Sequence, residues 1–184
     1  MTDDLNRFVA IVRRVQAMPY AWPSAPDAAS ARAAGEGSCA SKHALVAEEL
    51  ATIGLQSLPL LLVGSLVPQM LNVDPELAPG AHLSEVHECL TVLTPWAGPL
   101  RVDVTWDPVL IQHGLPGTLD WDGRTDMLIA VGEGGPCWSV QREGLRQAKE
   151  ALRSRLYRPG EREVRDRVLA ALARRFEEWR GATG

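Results

Sequence analysis

Two β-rich segments joined by a tight turn constrain the fold of this chain more than any other feature. Residues 86–93 and 100–106 are rich in β-branched residues, and Pro95-Trp96-Ala97-Gly98 lies between them. Short alternating segments on either side of a Pro- and Gly-containing turn predict an antiparallel β-hairpin. Because alternate residues of a strand point to opposite faces, His87 and Cys89 should lie on one face of the first strand.

The segments around the hairpin predict helices that are separate from the strands. Helical spacing of apolar residues predicts a first helix that ends at Met18-Pro19 and a second over about 39–53. Two more helices are predicted over 142–157 and 161–180. The other expected elements are strands over 57–64, 127–131 and 137–140 and loops over 19–38, 65–82 and 107–124. This order predicts an α+β fold, and 184 residues suit a single domain over 1–184.

Charge and hydropathy exclude several classes of partner. The formal net charge is −4, and the basic residues between Arg142 and Arg180 alternate with acidic ones as on a solvated helix surface, so we expect no nucleic-acid partner. The longest apolar run, 58–63, is too short to cross a bilayer. The acidic start lacks the basic and apolar parts of a signal peptide. We therefore expect a cytoplasmic protein without membrane partners, whose cysteines are free thiols. Its oligomeric state stays open.

Cys39 lies where the second helix is predicted to begin. It directly follows Gly35-Glu36-Gly37-Ser38, so its thiol faces unpaired backbone N–H groups and the positive end of the helix dipole. Both favour the thiolate, and the same N–H groups would stabilise an oxyanion. These residues alone fit a catalytic nucleophile and a buried cysteine that caps a core helix equally well.

His87 and Asp103 lie on neighbouring strands of the predicted hairpin. Their separation in sequence allows the two side chains to lie side by side, and a carboxylate within a strand needs a partner. Asp103 would orient the imidazole and favour its protonated form. Taken singly, His87 also fits a core histidine, and Asp103 fits a solvated edge-strand aspartate. Asp107 is a rival carboxylate, but it precedes Pro108 and better suits a turn.

The motifs around these residues resemble those of the transglutaminase-like superfamily. Gly37-Ser38-Cys39-Ala40-Ser41-Lys42-His43-Ala44-Leu45 is similar to its nucleophile motif. The hairpin with His87 and then Val102-Asp103-Val104-Thr105-Trp106 is similar to its second and third motifs. The resemblance covers roughly residues 19–110. The chain departs from the commonest pattern at Glu88-Cys89, where the superfamily often has a small residue and then an aromatic one.

The resemblance implies a transglutaminase-like (cysteine-proteinase-like) fold and a catalytic triad of Cys39, His87 and Asp103. The implied activity is thiol-dependent acyl chemistry on a peptide, amide or small acyl substrate, by an amidohydrolase, a peptidase or an acyltransferase. Hydrolysis is expected over protein cross-linking. The alternative is a non-catalytic protein that binds a peptide or a sugar on the same fold and has a vestigial triad, with a groove lined by Trp96, Trp106 and Trp121.

Four other residues are candidates for substrate binding or for an oxyanion contact. Lys42 and His43 lie about one helical turn beyond Cys39. Lys42 either lowers the pKa of the thiol, binds a substrate carboxylate or is solvated, and His43 is a further donor, a competing base or a helix-packing residue. The resemblance implies an oxyanion donor upstream of Cys39. Tyr20 and Trp22 lie there and are either such donors or loop anchors.

A zinc site is the rival chemistry. His82, His87, Cys89 and Cys39 include the residue types that bind zinc, but no tight ligand spacing accompanies them. Phosphate-binding and dinucleotide-binding motifs are also absent from the sequence. We therefore expect neither a metal nor an organic cofactor.

Overall fold

A four-stranded antiparallel sheet organises the fold, which a computed structural model describes over residues 2–66, 84–132 and 135–182. Its strands lie in the order β3-β2-β1-β4, with β1 at Gln56–Ser65, β2 at Ser84–Thr94, β3 at Gly98–Val102 and β4 at Cys137–Ser139. The helices are α1 (Thr2–Gln16), α2 (Ala28–Ala34), α3 (Cys39–Thr52), α4 (Pro108–Gln112), α5 (Leu145–Leu156) and α6 (Glu161–Gly181), and a 3₁₀ turn covers Arg142–Gly144. The predicted α+β class is confirmed. Within the described ranges, no helix is long and apolar enough to cross a membrane.

The predicted hairpin is formed by β2 and β3. Leu90 pairs with Val102 and Thr94 pairs with Gly98, whose φ of +73° in the turn suits glycine. The second strand is shorter than expected, since it ends at Val102 instead of residue 106. Asp103 therefore follows the strand. Its carboxylate accepts hydrogen bonds from the backbone N–H groups of Thr105 and Ala130, which are therefore not available to a longer β-ladder.

Two hydrophobic clusters lie on the two faces of the sheet. Leu90 belongs to the cluster that β2 forms with α1 and α3, which includes Phe8 and Leu50. Cys89 belongs to the other cluster, where Phe176 of α6 packs. Adjacent residues of β2 thus enter different clusters, as the predicted alternation requires. The apolar side of α6 is covered by its own chain.

Two short helices lie within segments that the sequence predicted to be loops. Asp27 caps α2 by accepting a hydrogen bond from the Ser30 N–H, and Gly35 ends the helix in the left-handed region. Asp107 caps α4 in the same way, through the Leu110 N–H. Each helix directly follows an aspartate that caps it. Both segments therefore contain a helix-start signal, although their composition is typical of loops.

Residues 127–131 are not the strand that their composition predicted. Met127 N–H donates to the Arg101 carbonyl at 3.0 Å, and Ala130 N–H donates to the Asp103 carboxylate at 2.9 Å. Each of these two N–H groups donates to a different partner, so the segment forms no β-ladder with a neighbouring strand.

A buried carboxylate of β2 connects both C-terminal helices to the sheet. Glu85 accepts hydrogen bonds from Arg153 at 2.8 Å and from the Tyr157 hydroxyl at 3.2 Å, and it also forms an ion pair with Arg165. Burial raises the pKa of Glu85, but the two arginines outweigh burial and hold the pKa below its usual value. The sequence predicted a solvated helix surface between Arg142 and Arg180. That prediction is wrong for Arg153 and Arg165, which pair with the buried Glu85.

Replacing Glu85 with glutamine should lower the free energy of unfolding by about 2 kcal/mol at pH 7, because charge-assisted hydrogen bonds are lost. The folded-state pKa of Glu85 is depressed. Its contribution is therefore complete above the unfolded-state pKa of about 4.3 and is lost as the pH falls through the folded-state pKa. The urea midpoints of the variant and the wild type should converge near about pH 3.

Glu178→Gln, at an exposed ion pair, is the matched control. A difference that stays constant with pH would contradict this account.

Candidate active site

Cys39 is the first residue of α3, as predicted, and its side chain is half-buried. The turn before it lies against the loop that contains Tyr20, through hydrogen bonds from Ala21 N–H to the Gly37 carbonyl and from Gly37 N–H to the Pro19 carbonyl. A Cβ at Gly37 would lie only 2.4 Å from the Ser41 hydroxyl oxygen. Glycine therefore permits the close approach that fixes the thiol at the helix start.

The predicted triad residues form one connected chain of contacts. His87 Nε2 donates to Asp103 Oδ2 at 2.7 Å, and both side chains are buried. This leaves Nδ1 as the ring nitrogen available to Cys39, whose thiol is hydrogen-bonded to His87. The structure thus brings Cys39, His87 and Asp103 together.

The Asp103 carboxylate is fixed by several donors besides His87. Oδ1 accepts from the Thr105 N–H at 3.1 Å and from the Thr105 hydroxyl at 2.7 Å, while Oδ2 accepts from the Ala130 N–H at 2.9 Å. Burial raises the pKa of Asp103, but the charge of His87 and its hydrogen bond to the carboxylate hold the pKa well below its usual value. The carboxylate is therefore ionised and oriented.

The electrostatics of the site favour charged forms of both Cys39 and His87. Burial raises the pKa of Cys39, but the Lys149 ammonium and His87 outweigh burial and lower the pKa to about 7. Burial lowers the pKa of His87, but Asp103 and the Cys39 thiolate outweigh it and raise the pKa to about 10. Between these values the pair exists mainly as thiolate and imidazolium.

Two residues outside the predicted site, Lys149 and Glu88, also lie close to Cys39. Lys149 Nζ lies 3.8 Å from Cys39 Sγ and donates to Glu88 Oε2 at 3.1 Å. Lys149 comes from α5, on which the charges were expected to face solvent, and 110 residues separate it from Cys39. No local pattern points to it. Glu88 occupies a position where the sequence departs from the superfamily's commonest pattern. That departure is the sequence signal that could have identified Glu88 as a site residue.

Lys42 is fully buried, and its ammonium is used by the backbone. Nζ donates to the carbonyls of Gln16 at 3.1 Å, Met18 at 2.9 Å and Thr105 at 3.1 Å. Burial lowers the pKa of Lys42 to about 7, yet three accepting carbonyls need the three donors of an ammonium. The expectations that Lys42 binds a substrate carboxylate or is solvated are therefore wrong. It connects the end of α1 to the segment that follows Asp103.

His43 is also fully buried and holds two parts of the site together. Its Nδ1 lies 2.6 Å from the Cys39 carbonyl, and its Nε2 accepts from the Val104 N–H at 3.0 Å. Because Nε2 accepts, the ring is neutral and carries its proton on Nδ1. Nε2 therefore has no proton for Asp103 Oδ1, 3.5 Å away. The expectation that His43 is a competing base is wrong, since both ring nitrogens are used.

Of the two candidate oxyanion donors, Tyr20 approaches the nucleophile. Its N–H donates to Asp107 Oδ2 at 2.9 Å, and its ring packs on Trp106. Burial and then the charge of Cys39 raise the pKa of the Tyr20 hydroxyl, which therefore stays protonated. Trp22 is half-buried and packs against the cluster around α6.

Asp107, the rival carboxylate, serves the backbone and α6. It accepts from the N–H groups of Tyr20 and Leu110, and Arg180 Nη2 donates to it at 2.6 Å. Asp107 therefore caps α4, where the sequence predicted a turn, and it fixes the Tyr20 loop against the C-terminal helix.

The tryptophans proposed to line a groove belong largely to the core. Trp106 and Trp121 are buried, and their indole N–H groups donate to the carbonyls of Ala130 and Thr125. Trp96 is half-buried and donates to the Gly123 carbonyl. The expectation of a ligand platform is therefore wrong for Trp106 and Trp121.

The rival zinc chemistry has no geometric support in the described part of the chain. There, no group of three His, Cys, Asp or Glu side chains could hold a metal ion. His82 lies outside the described residues, as does most of the predicted loop over 65–82. Cys89 is buried, and burial raises the pKa of its thiol far above the ordinary range, which opposes the thiolate that zinc needs.

Comparisons with known proteins identify no relative. No protein-family model, no curated protein and no solved structure matches this chain. The chemistry of the site therefore has to follow from its own geometry and charges.

Proposed function

We propose that this protein is a thiol-dependent acyl enzyme of the transglutaminase-like superfamily, which hydrolyses or transfers the acyl group of an amide, peptide or small acyl substrate. The observation that carries the proposal is the unbroken chain of contacts from Cys39 through His87 to Asp103. A nucleophile at the start of α3 and a histidine on the hairpin are also the placements that the resemblance implies. The coarse α+β architecture is compatible with that fold.

Acylation would begin with the thiolate. Cys39 Sγ attacks the carbonyl carbon of the substrate, and the first-turn N–H groups of α3 donate to the developing oxyanion. The Tyr20 hydroxyl is a second donor candidate. As the tetrahedral intermediate collapses, the His87 imidazolium gives its proton to the leaving group, and the bond between the carbonyl carbon and the leaving group breaks. The products are a thioester on Cys39 and a neutral His87.

Deacylation would reverse the roles. Neutral His87 takes a proton from water or an amine as it attacks the thioester carbonyl. The C–S bond then breaks, and its electron pair returns to sulfur as the thiolate. Asp103 stays ionised throughout and stabilises the imidazolium that forms again.

The binding-protein alternative has weaker support. It requires a vestigial triad and a groove lined with tryptophan. Instead, Cys39 is half-buried and hydrogen-bonded to His87, while Trp106 and Trp121 are core residues. An accessible, activated thiol favours an enzyme.

Alkylation of Cys39 by iodoacetamide tests the proposal. The rate should follow a titration with a midpoint near pH 7, because the thiolate is the nucleophile and the pKa of Cys39 is lowered to about 7. In His87→Ala, the midpoint should move toward the value of an ordinary thiol, about 8.5. Peptide-level mass spectrometry separates Cys39 from the exposed Cys137.

His113→Ala is the matched control, because His113 stacks on Trp179 of α6. It should leave the Cys39 titration unchanged. If Cys39 titrates as an ordinary thiol and ignores the loss of His87, the proposed function is wrong.

A further inference from the structure

We propose that Lys149 is a fourth catalytic residue, whose ammonium stabilises the Cys39 thiolate by direct contact, and that Glu88 is the positioning residue that holds this ammonium in place. This inference rests on the proposed function and assigns a role in it to helix α5. The resemblance to the superfamily ends near residue 110, so it implies nothing about Lys149.

The contacts of Lys149 are those of a buried cation between two anions. Its Nζ lies 3.8 Å from Cys39 Sγ and 3.1 Å from Glu88 Oε2. The side chains of Lys149 and Glu88 are only 10% and 6% exposed. Buried charges persist in proteins only when they are paired. Glu88 supplies one partner of the ammonium, and the thiolate supplies the second.

Lys149 adds a second positive charge beside the sulfur of Cys39. The nearby charged groups from β2 are the His87 imidazolium and the Glu88 carboxylate, and α5 contributes Lys149. Tyr20 contributes a protonated hydroxyl, and Lys42, on α3 itself, donates to backbone carbonyls. With Lys149, the thiolate has an ammonium beside it as well as the imidazolium, which Asp103 already pairs. Without Lys149, the thiolate would lose the ammonium that lies 3.8 Å from its sulfur and would be less favoured.

The choice of lysine at this position is informative. The sequence contains 17 arginines and only two lysines, Lys42 and Lys149. Both lysines are buried beside the triad, whereas the solvent-exposed cations are arginines. A lysine ammonium is a compact point charge, while guanidinium is planar and wide. The narrow position between Glu88 and Cys39 Sγ is therefore one that an ammonium suits.

The proposed contact would act in both half-reactions. Before acylation, Lys149 maintains the thiolate that attacks the carbonyl. During deacylation, the C–S bond breaks and negative charge returns to sulfur, 3.8 Å from the ammonium. A stabilised thiolate is a better leaving group, so loss of Lys149 should slow both steps.

The titration of Cys39 by iodoacetamide alkylation tests this role without requiring a substrate. Lys149→Met should move the midpoint to higher pH, and a rise of one unit slows alkylation at pH 6 by about 10-fold. Glu88→Gln should move the midpoint to lower pH, because it removes an anion beside the thiolate while the amide oxygen still accepts from Lys149 Nζ. A merely structural disturbance would shift both variants in the same direction. Opposite shifts are therefore the expected result.

Arg146→Met is the matched control, since Arg146 is an exposed cation on the same helix, and it should leave the midpoint unchanged. Lys149→Arg should restore part of the thiolate at pH 6 because it keeps the positive charge. An unchanged midpoint in Lys149→Met, or shifts of the same sign in Lys149→Met and Glu88→Gln, would overturn the inference. If Lys149→Met does not fold, Lys149→Gln takes its place with the same expected shift, because it removes the charge and keeps a donor for Glu88.

Comparison with His87→Ala separates the two proposals. A midpoint that moves in His87→Ala but not in Lys149→Met refutes the role of Lys149 alone. A midpoint that moves in neither variant refutes the proposed function as well.

Discussion

A Cys39→Ala variant should hydrolyse an activated ester such as p-nitrophenyl acetate at least about 10³-fold more slowly than the wild type, because removal of a catalytic nucleophile leaves only binding and oxyanion contacts. Its thermal midpoint should stay close to that of the wild type, since the half-buried thiol at the helix start adds little to the core. Single-turnover kinetics should show a burst in the wild type, and peptide mapping should find one acetyl group on Cys39.

Cys137→Ala is the matched control for that measurement. Cys137 is an exposed thiol on the edge strand β4, so the variant removes a reactive sulfur without touching the triad. Its burst and steady-state rate should equal those of the wild type. Equal rates in Cys39→Ala and wild type would instead assign any esterase activity to ordinary surface groups.

Replacing Lys42 with methionine should lower the free energy of unfolding by about 3 kcal/mol or more, because it leaves three backbone carbonyls without donors. These carbonyls belong to Gln16, Met18 and Thr105. Methionine keeps most of the side-chain length, so the effect reports the hydrogen bonds more than a cavity. Urea denaturation followed by tryptophan fluorescence measures the difference.

Arg32→Met is the control for the loss of a cation, since Arg32 forms an exposed ion pair with Glu48. Its unfolding midpoint should hardly change. The Lys42→Met variant should also lose esterase activity under conditions where it remains folded, because the Thr105 carbonyl fixes the segment that carries Asp103. A stable, fully active Lys42→Met variant would show that these carbonyls are satisfied in another way.

The features that the sequence predicted well depend on residues close together in the chain. The turn at 95–98 with its flanking strands specifies the hairpin locally, and the glycines before Cys39 mark the start of α3. The proximity of His87 and Asp103 follows from the hairpin register. Composition predicted the wrong element where polar contacts determine the structure. Residues 127–131 were predicted to form a strand, but their N–H groups donate to the Arg101 carbonyl and the Asp103 carboxylate.

The parts of the site that escaped prediction depend on long-range packing. Lys149 reaches Cys39 because the ion pair between Arg153 of α5 and Glu85 of β2 holds that helix against the sheet. The residues next to Lys149 in the sequence do not predict this contact. Lys42 and His43 were recognised as neighbours of Cys39, but helical spacing does not tell which neighbours turn inward. Their buried backbone partners decide their roles.

The burial of both lysines has a consequence for an enzyme of the proposed chemistry. An acyl-thioester reacts with amines, so exposed lysines on neighbouring copies would become sites of self-acylation and cross-linking. In this chain every other basic side chain apart from histidine is arginine, which remains protonated and is a poor nucleophile. The side chains of neighbouring copies therefore offer the thioester no exposed lysine amine to acylate.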